Sequence, residues 1–447
     1  MTAHPFLAEI ARAEFVRPHG YVRRVAAGLV EASGPAGALG DLCDVQCERP
    51  DGAAGTVLAE VAAVDERRVV LVPLEQHVTI RPDARVSARP LRDRVPVGEA
   101  FAGRAVDPLG RPIDGGPPIH VTGSAALMGS VPRPMERADP SRVLTTGIRA
   151  IDGVLTLAEG QRVGIFAASG VGKTSLTEQL ATQIRSDRTI LCLVGERGRE
   201  VEALWRMLST REDAARYTVV AATSDESAAL RARSVSYALC LADYWRARGE
   251  HVLLMVDSIT RMAMALREIG LAAGAPPTVR AYTPNVFAAL PRLVERCGAT
   301  KEGGAITAIM TVLSETDDVD DPIVELMKSL LDGHIVLSRA LAEQGHFPAI
   351  DVARSVSRGA DRLVQPDQAK AMREAVSLLG AYEEARVMIE SGVYKAGTNP
   401  QVDRAIAARP GINAFLRQDR TDDVRMEETL RNLRAVTAAS ARAPVHA

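Results

Sequence analysis

Lysine is scarce in this chain of 447 residues, because only five of its 54 cationic side chains are lysines. Codon bias in a GC-rich genome explains such a deficit in general. A lysine that persists in such a chain is nevertheless a candidate for a position that needs a compact, mobile ammonium, which the planar guanidinium of arginine does not supply. The five are Lys173, Lys301, Lys328, Lys370 and Lys395.

Long apolar runs are also missing. The longest, such as 69–74 and 252–256, are far shorter than the roughly 20 residues that span a bilayer. The N-terminal stretch contains Glu9 and Glu14 and has neither a basic start nor a continuous apolar segment, so we expect no cleaved secretory signal. We therefore expect a cytoplasmic protein.

Cysteine content and net charge exclude further classes. Five cysteines, an odd number, are typical of a reducing compartment and not of a disulfide framework. Cys43 and Cys47 have no second pair or nearby histidine to complete a zinc site, so we interpret all five as small apolar core residues. A net charge of -2 argues against a broad electrostatic surface for DNA or RNA, and we expect no nucleic-acid partner.

Short β-like runs separated by turn residues fill the region from His19 to about Pro90. This spacing predicts a small antiparallel β-barrel. A Pro- and Gly-rich stretch follows at 95–118, and we expect it to be a connector with fixed turns. The predicted barrel strands are 21–25, 40–47, 56–64, 68–73 and 78–80.

From about Leu144, apolar runs alternate with helical segments, which predicts an α/β domain with a mostly parallel sheet covered on both faces. After about Val364 the chain is helical and charged, without a strand signal. We predict an N-terminal segment (1–18), a β-barrel (19–95), a central domain with its connector (96–364) and a C-terminal helical domain (365–447). The predicted sheet strands are 162–167, 189–194, 217–222, 251–256 and 306–312, and the predicted C-terminal helices are 367–384, 385–392 and 426–439.

Residues 167–174 directly follow the first of these strands and open a helix predicted over 174–185. The segment fits the phosphate-binding loop pattern, although Ala167 replaces its first glycine. Glycines let the backbone wrap around phosphate oxygens, Lys173 can reach the β and γ phosphates, and the Thr174 hydroxyl can ligate magnesium. The sequence thus predicts ATP and Mg²⁺ as cofactors, with the phosphates held by Ser169, Gly170, Val171, Gly172, Lys173, Thr174 and Ser175.

Two carboxylates follow other predicted strands. Asp257 ends 251–256 and fits a magnesium partner that acts through water, but it equally fits a helix cap near Ser258. Glu196 follows 189–194 at the sheet edge where ligands of such folds bind. Spacing alone leaves Glu196 either as a catalytic carboxylate or as the partner of Arg197 or Arg199 in a surface ion pair.

Several longer motifs closely resemble the ATPases of bacterial type III secretion systems. That family includes flagellar export ATPases and is similar to the catalytic subunits of rotary ATP synthases. The resemblance runs from about His19 to the C-terminal helices. The motifs that carry it are 195–201, 257–261, 267–277, 287–296, 331–339 and 348–358.

The resemblance implies a RecA-like P-loop domain that hydrolyses ATP. It assigns catalysis to Glu196, the position behind the metal to Asp257, and stacking on the adenine ring to Phe347. It also assigns Arg358 as an arginine finger that enters the neighbouring protomer's site, with Arg354 as a second candidate. A finger supplied in trans implies a homohexameric ring. The resemblance implies that the barrel at 19–95 serves oligomerisation by holding this ring together.

The resemblance further implies a motor that releases chaperones from export substrates and helps to unfold them. The implied partners are a stator or regulator protein, a central stalk, the export gate and chaperone–substrate complexes, with the ring peripheral at the cytoplasmic face of the inner membrane. Residues 269–274 and 289–293 favour the virulence injectisome over flagellar export, which stays the main alternative. A rotary ATP synthase subunit fits less well, because one chain carries both Glu196 and the finger. A hexameric RNA helicase lacks support, since there is no basic, aromatic-rich N-terminal face.

Two segments remain ambiguous. Residues 6–16 could form an amphipathic helix that is either a frayed terminus or a docking segment for a partner. The acidic run at 317–321 fits a solvated loop, and it also fits a pore loop that touches a stalk or an unfolding substrate.

Overall fold

A computed structural model describes residues 17–26, 28–35, 37–76, 78–89, 94–121, 123–314 and 321–442. The segment 6–16 and most of the acidic run lie outside these ranges. In chain order the strands are β1 (His19–Ala26), β2 (Leu29–Ala32), β3 (Leu42–Glu48), β4 (Ala54–Val64), β5 (Val69–Pro73), β6 (Arg85–Ala88), β7 (Arg94–Pro96), β8 (Ala105–Val106), β9 (Ser124–Ala126), β10 (Arg137–Ala138), β11 (Val143–Leu144), β12 (Leu157–Ala158), β13 (Arg162–Ala167), β14 (Arg188–Glu196), β15 (Tyr217–Thr223), β16 (His251–Asp257), β17 (Gly298–Thr300), β18 (Ala305–Leu313), β19 (Gly333–Leu337) and β20 (Ile350–Ser357). The helices are α1 (Lys173–Gln183), α2 (Gly198–Ser209), α3 (Ala228–Arg246), α4 (Ile259–Ala272), α5 (Pro284–Arg296), α6 (Pro322–Leu330), α7 (Arg339–Glu343), α8 (Ala360–Leu363), α9 (Pro366–Glu390), α10 (Pro400–Leu416) and α11 (Met426–Arg442), with a π-helical turn at Ile151–Leu155.

The first six strands close into an antiparallel barrel in the order β1-β2-β5-β4-β3-β6. Alternate side chains such as Val45, Val57 and Val86 point inward and are fully buried, which follows from the two-residue period of a strand. The barrel prediction is confirmed, but the predicted strand 78–80 is wrong, because Thr79 forms only an isolated bridge with Glu48. The sequence analysis missed β2 and β6, whose four residues each are too short to show a clear alternation.

The central domain is built on a large sheet with the strand order β20-β19-β13-β18-β16-β14-β15-β8. The strands from β19 to β8 run parallel to one another along this order, and they are buried on both faces because helices cover both sides. All five predicted core strands are present. The edge strand β20 pairs antiparallel with β19, and neither of these two strands was predicted.

The C-terminal part, 364–442, is helical and contains no strand among its described residues. The predicted helices 367–384 and 385–392 are one continuous helix, α9, because the sequence between them has no breaker. Helix α10 was missed, since it contains Pro410, a residue that normally ends helices.

The barrel is joined to the central domain through polar contacts as well as apolar packing. The buried guanidinium of Arg233 lies 3.4 Å from the Glu60 carboxylate of β4, and the Ser227 hydroxyl donates to the Leu74 carbonyl at 2.7 Å. Breaking one partner of a buried pair leaves an unpaired charge, so these contacts fix how the barrel sits on α3.

Two predictions from composition can be compared with the structure. None of the described helices has the length and apolarity that crossing a bilayer requires. All five cysteines are free thiols, and four are buried as predicted, while Cys47 is partly exposed.

Candidate active site

The phosphate loop connects β13 to α1 at the carboxyl edge of the parallel sheet. Gly170 and Gly172 have φ angles of 81° and 92°, in the left-handed region that favours glycine. Gly172 is the N-cap of α1 and carries no side chain that could cap the helix. The first amides of α1 are therefore available to an anion, at the end where the helix dipole also favours negative charge.

Lys173, the first residue of α1, contacts the carboxylate of Asp257 at the end of β16. The Thr311 hydroxyl from β18 donates to the same Asp257 oxygen at 2.7 Å. The side chains of Lys173 and Asp257 are only 12% and 9% exposed, so the pair is largely withdrawn from water. The structure thus brings together two of the predicted site residues that lie far apart in the sequence.

Glu196 is the last residue of β14, is largely buried and lines a cavity together with Lys173. The chain reaches it through a register shift in the pairing with β15, where Gly195 adopts a φ of 68°. A Cβ at Gly195 would lie 3.1 Å from the Arg261 side chain, so glycine permits this close approach. Arg261 Nε lies 3.3 Å from Glu196 Oε1, which pairs the carboxylate with a cation from α4.

The electrostatic environment of Glu196 holds its proton unusually tightly. Burial, followed by the charge of Asp257, raises the pKa of Glu196 to about 7, although Lys173 and Arg261 act in the opposite direction. A carboxyl group with this pKa changes charge within the physiological range. Such values are typical of groups that accept or donate protons in catalysis.

A pH profile tests this assignment. If the carboxylate form of Glu196 activates water, kcat/KM should rise with pH through about 7 and then level off, because kcat/KM follows the titration of the free enzyme. The measurement is steady-state phosphate release from about pH 6 to about pH 8.5 in excess Mg²⁺, which keeps the ATP phosphates deprotonated. A flat profile across this range would show that Glu196 does not limit the reaction.

Phe347 lies beside the phosphate loop. Its ring would be 3.6 Å from a Cβ placed on Gly172, and 47% of the residue remains exposed. The Phe347 carbonyl accepts a hydrogen bond from the Gln418 amide at 2.9 Å, which brings the C-terminal domain to this position. An exposed ring next to the loop can offer a flat apolar face to a base.

Arg358 lies away from the site of its own chain. Ser357 pairs with Gly333, which pairs with Val163 near the start of β13. The phosphate loop begins after Ala167, at the other end of that strand, which is about 13 Å further along at the usual strand rise. Arg354 is also exposed on β20. The structure therefore does not unite either arginine with Lys173 in one chain.

The described residues enclose a cavity of about 880 Å³ at the phosphate loop. Besides predicted residues, it is lined by charged side chains that the sequence analysis did not assign: Glu200, Arg261, Arg267, Arg280 and Asp321. Arg261 could have been found, because it lies in the first turn of α4, shortly after Asp257. No sequence pattern near Arg280 indicates that this residue lines the cavity. A second cavity, of about 830 Å³ and lined by Arg246 and Arg296, contains no phosphate-loop residue.

The fold and the site define the class: this protein is a P-loop ATPase with a RecA-like central domain. The nucleotide-binding domain of the ATP synthase alpha/beta family matches residues 147–357, and the C-terminal domain of the type III secretion ATPase EscN matches residues 364–435. The flagellum-specific ATP synthase of Bacillus subtilis is 41% identical over 420 residues, covering 94% of this chain and 95% of the relative. The type 3 secretion system ATPase of Xanthomonas euvesicatoria is 40% identical over 433 residues, covering 96% of each.

A solved structure agrees with this likeness. The assembled ATPase EscN from the type III secretion system of enteropathogenic E. coli matches with a TM-score of 0.87 and 37% identity, over 94% of this chain and 100% of EscN. The chain belongs to the family of type III secretion and flagellum-specific ATPases. The resemblance drawn from the motifs is thereby confirmed.

Proposed function

We propose that this protein is the ATP-hydrolysing motor of a bacterial type III protein secretion system and works as a homohexameric ring. One observation carries the proposal: Lys173 and Glu196 line one cavity and Asp257 contacts Lys173, whereas Arg358 is exposed at the opposite end of the sheet. A complete site then needs a second copy of the chain. EscN, a relative solved as an assembled ATPase and in complex with its central stalk EscO, supports a ring with a stalk.

In this proposal the residues of one chain bind and orient ATP. The loop amides and Lys173 hold the phosphates, and Phe347 stacks on the adenine ring. Glu196 accepts a hydrogen bond from the attacking water and polarises it. Arg358 of the neighbouring copy stabilises the charge that develops on the γ-phosphoryl group.

The residues present also fit Mg²⁺. No cluster of three or more acidic, histidine or cysteine side chains suited to a metal occurs within the described ranges, but nucleotide-bound Mg²⁺ does not require one. Thr174 and Asp257 both border the pocket beside the phosphate loop, and their hydroxyl and carboxylate supply the oxygen atoms that Mg²⁺ prefers. Thr174 would hold the ion directly and Asp257 through water. When bound, Mg²⁺ would neutralise part of the phosphate charge.

The partners follow from the proposed function. We infer that the ring releases chaperones from export substrates and helps to unfold them, with a stator or regulator, a central stalk and the export gate as partners at the inner membrane. Flagellar export is the second candidate, because a relative named for it matches at 41% and a type 3 secretion relative at 40%. The C-terminal match at 364–435 favours either export system over a rotary ATP synthase subunit.

Dilution of the purified protein tests the ring. Per-chain ATP turnover should fall by more than about tenfold between concentrations at which rings form and those at which monomers prevail, because a monomer lacks a finger at its site. Phosphate release is measured alongside mass photometry, and Lys173→Ala protein serves as the background control. Constant activity per chain in monomers would contradict the shared site.

A deletion strain distinguishes the two export systems. Loss of secretion with intact motility would favour the injectisome over flagellar export.

A further inference from the structure

We propose that Arg162 and Asp332 are positioning residues that hold the turn carrying Arg358 in place for the neighbouring copy's site. The inference rests on the proposed role of Arg358 as a finger in trans and adds residues to which no catalytic role has been assigned. Neither residue touches the cavity of its own chain. Their effect on catalysis would therefore be exerted through Arg358.

Asp332 bonds the turn directly. The Arg358 amide donates to the Asp332 carbonyl at 2.8 Å, and the neighbouring Gly333 pairs with Ser357. A Cβ at Gly333 would lie 2.7 Å from the Val356 carbonyl, so β19 and β20 approach more closely here than any larger residue would permit. The backbone of Arg358 thus takes its position from Asp332.

Arg162 in turn fixes Asp332 through both main-chain and side-chain bonds. The Asp332 amide donates to the Arg162 carbonyl at 2.8 Å. The Asp332 carboxylate accepts from the Arg162 amide at 3.0 Å, from Nε at 2.9 Å and from the terminal guanidinium nitrogen at 2.8 Å. A two-pronged arginine–carboxylate pair sets orientation as well as distance. Because Arg162 begins β13, the strand that leads into the phosphate loop, the turn is anchored to an inner strand of the sheet.

Two further contacts complete the support. Gln161 Nε2 donates to the Ser357 hydroxyl at 3.1 Å, and that hydroxyl donates to the Thr156 carbonyl at 2.8 Å. Arg162 also bonds Glu295 at 2.8 Å, near the end of α5. The turn is therefore supported by Gln161 and Arg162 as well as by Asp332.

ATP turnover in rings mixed from two variants measures what one subunit's finger contributes to its neighbour's site, apart from the activity of its own site. Arg358→Ala protein has an intact phosphate loop and no finger, while Lys173→Ala protein has a finger and a defective loop. Mixing the two should restore part of the ATP turnover. A Lys173→Ala/Asp332→Asn donor should restore at least about tenfold less, because a displacement near 1 Å can reduce catalysis by about a hundredfold. Since the donor's own loop is already defective, Asp332→Asn in a donor that enters the mixed rings can change turnover only through the finger that it supplies.

A matched ion pair supplies the control. Arg188 and Glu250 are 2.7 Å apart with side-chain exposures of 20% and 24%, against 2.8 Å, 18% and 32% for Arg162 and Asp332. A Lys173→Ala/Glu250→Gln donor should rescue as well as Lys173→Ala alone. Native mass spectrometry checks that each donor enters mixed rings.

Equal rescue by the Asp332→Asn donor would overturn the positioning role. If the Asp332→Asn donor did not enter mixed rings, the positioning role would also be overturned, and Asp332 would instead serve ring assembly. If even the Lys173→Ala donor gave no rescue, the finger in trans would itself be refuted, and this inference with it.

Discussion

Replacing Glu196 by glutamine should lower ATP turnover by about a thousandfold while ATP affinity stays within about twofold. The amide keeps the size of the side chain and can still reach Arg261, but it can neither carry the negative charge nor accept the proton of the attacking water. The phosphate contacts of Lys173 and the loop amides are unchanged. Turnover is measured by phosphate release, and affinity by equilibrium binding of a fluorescent ATP analogue.

The stability of the Glu196→Gln protein distinguishes a chemical defect from a folding defect. Because the pKa of Glu196 is raised to about 7 in the folded protein, the folded state binds the proton more tightly than the unfolded chain does. The contribution of this group to the free energy of unfolding therefore falls as the pH rises toward about 7. Above that pH the group is charged in both states, and burying the charge is a cost to the folded state. Glutamine removes that cost, so the variant should melt no earlier than wild type at pH 8.

Glu202→Gln is the matched control for this substitution. Glu202 lies on α2 with 62% of its side chain exposed and pairs with Arg206. An exposed pair of this kind contributes little, so turnover should not change. Near-normal hydrolysis by Glu196→Gln protein would remove the catalytic assignment.

Replacing Arg358 by alanine should reduce turnover about a thousandfold, since an arginine finger contributes at least that much to phosphoryl transfer. The affinity for ATP should change little, because the chain's own phosphate loop is intact. The loss should therefore appear in kcat and not in the binding constant. Phosphate release at saturating ATP and binding of the fluorescent analogue measure the two quantities.

Arg354→Ala is a natural comparison for Arg358→Ala. Both arginines are exposed. Arg354 lies within β20, and Arg358 directly follows the strand. A small effect at Arg354 together with a large one at Arg358 would identify the finger. The reverse result would transfer the assignment to Arg354, and two small effects would leave the site without a finger from this strand.

The sequence could predict those parts of the fold that depend on local patterns. The inner strands and the phosphate loop are contiguous segments, so apolar runs and two glycines were enough to find them. The barrel strand 78–80 was wrong because three residues cannot distinguish a strand from a single bridge. Helix α10 was missed because Pro410 outweighed the packing of that helix against its neighbours.

The candidate site also contains residues that a local pattern predicts and contacts that only the folded chain shows. Lys173 and Thr174 follow from the loop itself, but the contact between Lys173 and Asp257 depends on the order of strands in the sheet. No local pattern indicates that Arg280 and Asp321 line the cavity. The role of Glu196 came from the family resemblance, while its burial and its raised pKa required the structure. The domain boundaries and the site roles stay predictions.

The antiparallel course of β20 has a genetic consequence. It carries each chain's Arg358 away from that chain's own phosphate loop, so in the proposed ring every chain would serve two reactions at once. A copy that has lost both its lysine and its finger would then silence its neighbour's site as well as its own. Such an allele would be dominant over the wild-type allele. The loss of ATP turnover in mixed rings would exceed the fraction of variant subunits.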